Sequence, residues 1–109
     1  MNPGDLLAIP LPDGRFGGAQ ILEVTPHAVA LRLFGVIFDC APEGPLDFQD
    51  APVAIDHLAV APGQVSGVVG HAPLPEDALT GGHALWVATG RGTVVDAPLA
   101  VLVGVMVAG

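Results

Sequence analysis

The chain has no lysine and no tyrosine, and only one cysteine, one serine and one tryptophan in 109 residues. Its basic side chains are Arg15, Arg32 and Arg91, set against eleven acids, for a net charge of −8. That balance argues against direct binding to nucleic acid, because phosphate contacts need cations. It argues equally against an anionic membrane surface. It fits a basic protein partner, or an acidic surface that keeps an apolar chain soluble.

The scarcity of reactive side chains narrows the chemistry further. Cys40 is alone, so no internal disulfide is expected. Asp39 and Glu43 beside it are the wrong setting for a reactive thiolate, so Cys40 is expected to be a buried or half-buried structural residue. Ser66 lies outside any Gly-x-Ser-x-Gly elbow. A triad drawn from Ser66, His57 or His71, and Asp56 is one that any chain with four histidines allows. His27, His57, His71 and His83 form no His-x-His or His-Glu-x-x-His motif, so neither a metal nor another cofactor is expected. Gly90-Arg91-Gly92 is too short for a phosphate loop and reads as a hairpin tip with a solvated arginine. These features predict a protein that is not an enzyme.

Long apolar runs are also missing. The most apolar stretch, Leu99 to Ala108, is about half of what a helix needs to span a bilayer. The N-terminus has no basic region of the kind a signal peptide carries, which predicts a cytoplasmic location. The length predicts one domain over residues 1–109, large enough for a core of its own.

What is present is β pattern and turn chemistry. Leu6 to Leu11 reads as a strand, Pro12-Asp13-Gly14 as a tight turn, and Arg15 to Val24 as the return strand. Gly17-Gly18 within it predicts a bulge or a close backbone approach. Ala28 to Asp39 reads as a strand in which the charge of Arg32 must reach solvent or an acid. Val53 to Val60 and Gln64 to His71 follow as strands, and Glu76 to Leu79 as one helical turn. His83 to Thr89 alternates and reads as a strand, Thr93 to Asp96 begins another, and the valine-rich Leu99 to Val107 reads as a buried one. Six to eight short strands separated by Gly/Pro turns predict an all-β fold, a small, strongly bent antiparallel barrel or sandwich, with an SH3-like barrel among the options.

Residues 39–52 differ in character. Pro42, Pro45 and Pro52 forbid a continuous helix, and Asp39, Glu43, Asp47 and Asp50 place four acids within twelve residues. The segment is either a solvated connection whose Phe48 plugs the core edge, or a partner-binding loop in which those acids surround Phe48 as an apolar anchor. The acid spacing does not suit calcium.

The string Gly4-Asp5, Ala8-Ile9-Pro10-Leu11, Asp13-Gly14-Arg15-Phe16 and Gln20-Ile21-Leu22 resembles the opening of the immunity protein 26 family. The match covers about twenty residues, a fifth of the chain. The family consists of bacterial all-β proteins attributed to polymorphic toxin systems. The resemblance implies a protein-binding module that neutralises a cognate toxin in the cytoplasm, with the acids of residues 39–50 suiting a basic one. The competing reading is a small β-barrel accessory domain that binds a small molecule or peptide, for which a cavity lined by Phe34, Phe38 and Trp86 would speak. Pairing of two copies through an exposed edge strand is a further arrangement the pattern permits.

Overall fold

The structure, a computed structural model, describes residues 1–65, 67–92, 94–95 and 98–108, the last five of these as backbone. Five strands form one antiparallel sheet: β1 (Asp5–Pro10), β2 (Phe16–Val24), β3 (Val29–Phe34), β4 (Val53–Val60) and β5 (Val68–His71). Their order is β4-β3-β2-β1-β5, so β4 and β5 are the edges and the sheet is not closed. The all-β expectation holds at five strands among the described residues, without barrel closure.

The β1–β2 hairpin forms as its sequence predicts. Leu11 N–H donates to the Arg15 carbonyl at 2.9 Å, and Gly14 N–H donates to the Leu11 carbonyl at 3.1 Å. Gly14 has φ +86°, a region that side chains with a Cβ avoid. Asp13 accepts from the Arg15 N–H at 3.1 Å and pairs with its guanidinium. The pairing runs without a shift through Ala8↔Gly18 and Ile9↔Gly17, so the glycine pair is a close approach and not a bulge. A Cβ on Gly17 would lie 2.7 Å from Val103, and one on Gly18 would lie 2.6 Å from Phe48. The two glycines face opposite sides of the sheet, and each admits the layer packed there.

Alternation along the strands supplies both layers. Leu7, Ile9, Ala19, Ile21, Leu31 and Leu33 line one face and are buried. Each leucine and isoleucine among them contributes about 1.5–3 kcal/mol of hydrophobic stabilisation. The opposite face carries two separate clusters, one of Leu22, Ala30, Ala59 and Trp86, the other of Leu6, Phe34 and Phe48.

Two helices correct the strand reading. Leu99–Ala108 is a helix, α2, not a buried strand. Its Leu99 and Val103, four apart and so on one helical face, pack into the first layer. Gly82–Ala88 is likewise a helix, α1, and sets Trp86 onto the opposite face. Asp56 on β4 accepts from the Gly82 N–H at 2.9 Å and so starts α1 from a distant strand. In both segments, burial of a sheet face overrides local β propensity.

The other expectations fall between these. β4 spans its predicted range, and Glu76–Leu79 is a single 3-10 turn. The Gln64–His71 segment pairs only over Val68–His71, and β3 ends at Phe34, beyond which Phe38 bridges Phe16. Cys40 is exposed, not buried, because the chain has left the sheet by then. Of the expected strand at 93–96, Val95 bridges Val60 in parallel; Thr93 and Asp96 lie outside the described residues, as does Ser66. No helix among the described residues is long and apolar enough to cross a membrane.

Candidate functional site

Residues 39–50 leave the sheet after β3 and return over its second face. Pro45–Phe48 forms a 3-10 turn, with Asp47 N–H bonded to the Gly44 carbonyl and Glu43 N–H donating to the Asp47 carboxylate at 2.8 Å. Phe48 faces the sheet, 6 % exposed, between the rings of Phe34 at 5.4 Å and Phe38 at 5.2 Å. It plugs the core edge, so the apolar group this segment offers to solvent is Leu46, 83 % exposed.

Asp39, Glu43, Asp47 and Asp50 are all exposed. Three other acids are paired, whereas Asp56 on β4 holds the Gly82 N–H and has no cation beside it among the described residues. Asp5 pairs with His71, Asp13 with Arg15, and Glu23 with His83 and Arg91. None of the four acids of residues 39–50 has an ion-pair partner among the described residues. The segment therefore presents exposed negative charge on a backbone fixed by Phe48, with Glu43 and Asp47 beside Leu46, while Asp39 lies within electrostatic reach of Arg15.

Beneath it, the second face holds a polar centre. Gln20 on β2 and Arg32 on β3 stand directly opposite each other. Gln20 is 1 % exposed, and its amide is fully used. Nε2 donates to the Gly4 carbonyl at 3.1 Å and the Ala72 carbonyl at 2.9 Å. Oε1 accepts from Arg32 Nε at 2.9 Å and Nη2 at 2.6 Å. The guanidinium also lies 5.3 Å from the centre of the Phe34 ring. Burial depresses its pKa. Arg32 reaches an amide, where solvent or an acid was expected. It lines a cavity of about 220 Å³ that also touches Phe34, Phe48 and Gln49.

The other end of this face is built on α1. His57, His83 and Trp86 stack at ring distances of 5.1–6.0 Å. Arg91 follows α1 at φ 57° and is no hairpin tip; its Nε donates to Glu23 at 2.7 Å, and His83 lies 3.0 Å from the same carboxylate. The Arg91 hydrogen bond holds the Glu23 carboxyl below its usual range, with the His83 contact adding to it against an opposing effect of burial. An apolar cleft of about 470 Å³ opens between His57, Leu85 and Trp86. Phe34 and Trp86 thus line different cavities, and the single aromatic cavity considered from sequence does not form among the described residues.

His57 Nε2 is buried without a hydrogen-bond partner, and burial lowers the ring's pKa below 6.5. The unfolded chain therefore takes up this proton first as pH falls, so stability drops as pH descends through 6.5. His57→Phe is expected to stabilise the fold by about 1 kcal/mol at pH 7.5, because it removes an unsatisfied polar atom. Its advantage over the wild type should widen towards pH 5.5. Urea unfolding of both proteins at the two pH values reads this directly, and a constant difference would contradict it.

Compared with known protein families, curated proteins and solved structures, the chain matches none. The acids of residues 39–50 are legible in the sequence, whereas Gln20 as the partner of Arg32 is not. The available signal was a polar residue interrupting each of two neighbouring apolar strands.

Proposed function

We propose that the protein is a non-catalytic binding module that neutralises a cognate bacterial toxin by direct contact, with residues 39–50 as the contact surface. The observation that carries this reading is the exposure of Asp39, Glu43, Asp47 and Asp50 on one segment, without ion-pair partners among the described residues, with Glu43 and Asp47 flanking exposed Leu46. The toxin as partner comes from the resemblance of residues 4–24 to the immunity protein 26 family. A basic toxin suits such a surface, because complementary fields speed encounter and exclude wrong partners.

Charge reversal is the test. The variant Asp39→Lys, Glu43→Lys, Asp47→Lys and Asp50→Lys is expected to lose growth protection against a toxin recovered with the wild-type chain by pull-down from the native cell. Its association rate with the purified toxin should fall at least tenfold at low salt. Reversal of Glu76 and Asp77 serves as the control and should leave protection intact. Full protection by the quadruple variant would remove residues 39–50 from the interface.

A second reading, binding of a small molecule, draws on the cleft of about 470 Å³ beside Trp86. Quenching of Trp86 fluorescence by a screened ligand, absent in His57→Ala and Leu85→Ala, would favour it.

A further inference from the structure

The guanidinium of Arg32 is held but not neutralised. An arginine has five N–H donors. Gln20 Oε1 takes the Nε edge through Nε and Nη2, which leaves the end edge formed by Nη1 and Nη2 without a hydrogen-bond partner among the described residues. Gln20 cannot turn away, because both carbonyls on its Nε2 fix the amide. The fork is therefore set in place before any ligand arrives.

Among the described residues no acid lines the cavity around it, and Asp77 acts on the guanidinium only electrostatically, from outside the lining, and without a salt bridge. Its polar side chains are Gln20, Arg32 and Gln49, and its apolar ones include Leu6, Phe34, Phe48 and Val53. An unpaired, partly buried cation is unfavourable for the fold alone. It is recovered when an anion with matching geometry enters. The end edge of a guanidinium matches a planar carboxylate in two parallel hydrogen bonds. The overall charge of −8 disfavours doubly charged anions, and a single guanidinium balances a single charge.

We propose that this cavity receives one carboxylate carried on a short apolar body, with Arg32 gripping the carboxylate end-on and Leu6, Phe34 and Phe48 enclosing the body. The carboxylate can come from a free organic acid or from the C-terminus of a peptide. The proposal uses none of the acids at 39, 43, 47 and 50, although Phe48 of the same segment walls the cavity.

Two probe pairs separate the sources: benzoate against benzamide, and the tripeptide Ala-Ala-Leu with a free against an amidated C-terminus. In titrations of the full chain followed by NMR, at least one acid should bind ten times more tightly than its amide. The Arg32 Nε–H resonance and the Gln20 side-chain amide should shift with it. Arg32→Lys keeps the charge but not the fork and should weaken binding at least tenfold while its spectrum stays folded. The quadruple lysine variant of residues 39–50 should still bind the acid. Equal binding of acid and amide, no binding of either acid, displacement by an equal concentration of sulfate, or unchanged binding in Arg32→Lys would overturn the proposal. The acid-to-amide ratio in the wild type decides the matter even if Arg32→Lys does not fold.

Discussion

Phe48→Ala is expected to lower the unfolding free energy by about 3–5 kcal/mol, the range for removing a buried aromatic ring. A domain of this size has about 5–15 kcal/mol in total, so the variant should stand near the edge of folding at 37 °C. The effect is large because the ring does three things at once. It fills the space that Gly18 leaves open, contacts Phe34 and Phe38, and ties residues 39–50 to the sheet. Urea unfolding measures the loss, and Phe48→Leu should recover part of it. A change below about 1 kcal/mol would mean that the segment is held elsewhere. The variant should also weaken any partner that contacts the four acids, although every charge remains. That separates a held arrangement of acids from mere acidity, because simple electrostatic attraction would survive the substitution.

Gln20→Leu is expected to cost about 3 kcal/mol or more, for a different reason. The new side chain is as apolar as its neighbours. The loss comes from what it abandons: the Ala72 carbonyl loses a donor, and the Arg32 guanidinium loses the one acceptor that holds it. The Gly4 carbonyl suffers less, because it also accepts from the Ala72 N–H at 3.0 Å. The double variant Gln20→Leu/Arg32→Leu should therefore lose less than Gln20→Leu alone, since removing both partners is milder than orphaning one. Unfolding curves for the two single variants and the double variant give the coupling. Additive losses would show that the two side chains do not act as a unit.

Local chemistry is what the sequence makes legible. Pro12-Asp13-Gly14 fixes its turn through φ preference and an Asp side chain that accepts from the Arg15 N–H two residues on, so the β1–β2 hairpin was readable. Val53–Val60 was readable for the same kind of reason, a β-rich run ended by Ala61-Pro62-Gly63. The helices were not. His83 to Thr89 alternates like a strand, and Leu99 to Val107 is as rich in valine as a strand. What makes them helical is remote: a bare sheet face for Val103 to cover, and an Asp56 carboxylate waiting at Gly82. At the candidate site, the exposure of the four acids followed from their chemistry. Phe48 was readable in two ways, as core plug or as anchor, and only the position of Gly18 on the neighbouring strand decides for the core. The Gln20–Arg32 pair was hidden by register. Counting back from Val24↔Val29 places Gln20 opposite Leu33, but an irregularity between Ile21 and Glu23 moves it to Arg32.

That irregularity has a consequence for how the chain can vary in length. Leu22 is the residue left without a partner on β3. Both Leu22 and the next residue, Glu23, serve the same face, Leu22 in the Trp86 cluster and Glu23 on His83 and Arg91. Removing one residue there would leave Ile21 and Glu23 adjacent, each still on its present face. Positions 21 and 22 are therefore where a one-codon deletion disturbs the sheet least, since either leaves one apolar residue between Gln20 and Glu23 and keeps Gln20 opposite Arg32. Deletion of Gln20 would instead take away the acceptor of Arg32. Any homologue one residue shorter in this strand should show its gap at Ile21 or Leu22, with counterparts of Gln20, Glu23 and Arg32 retained on either side of it.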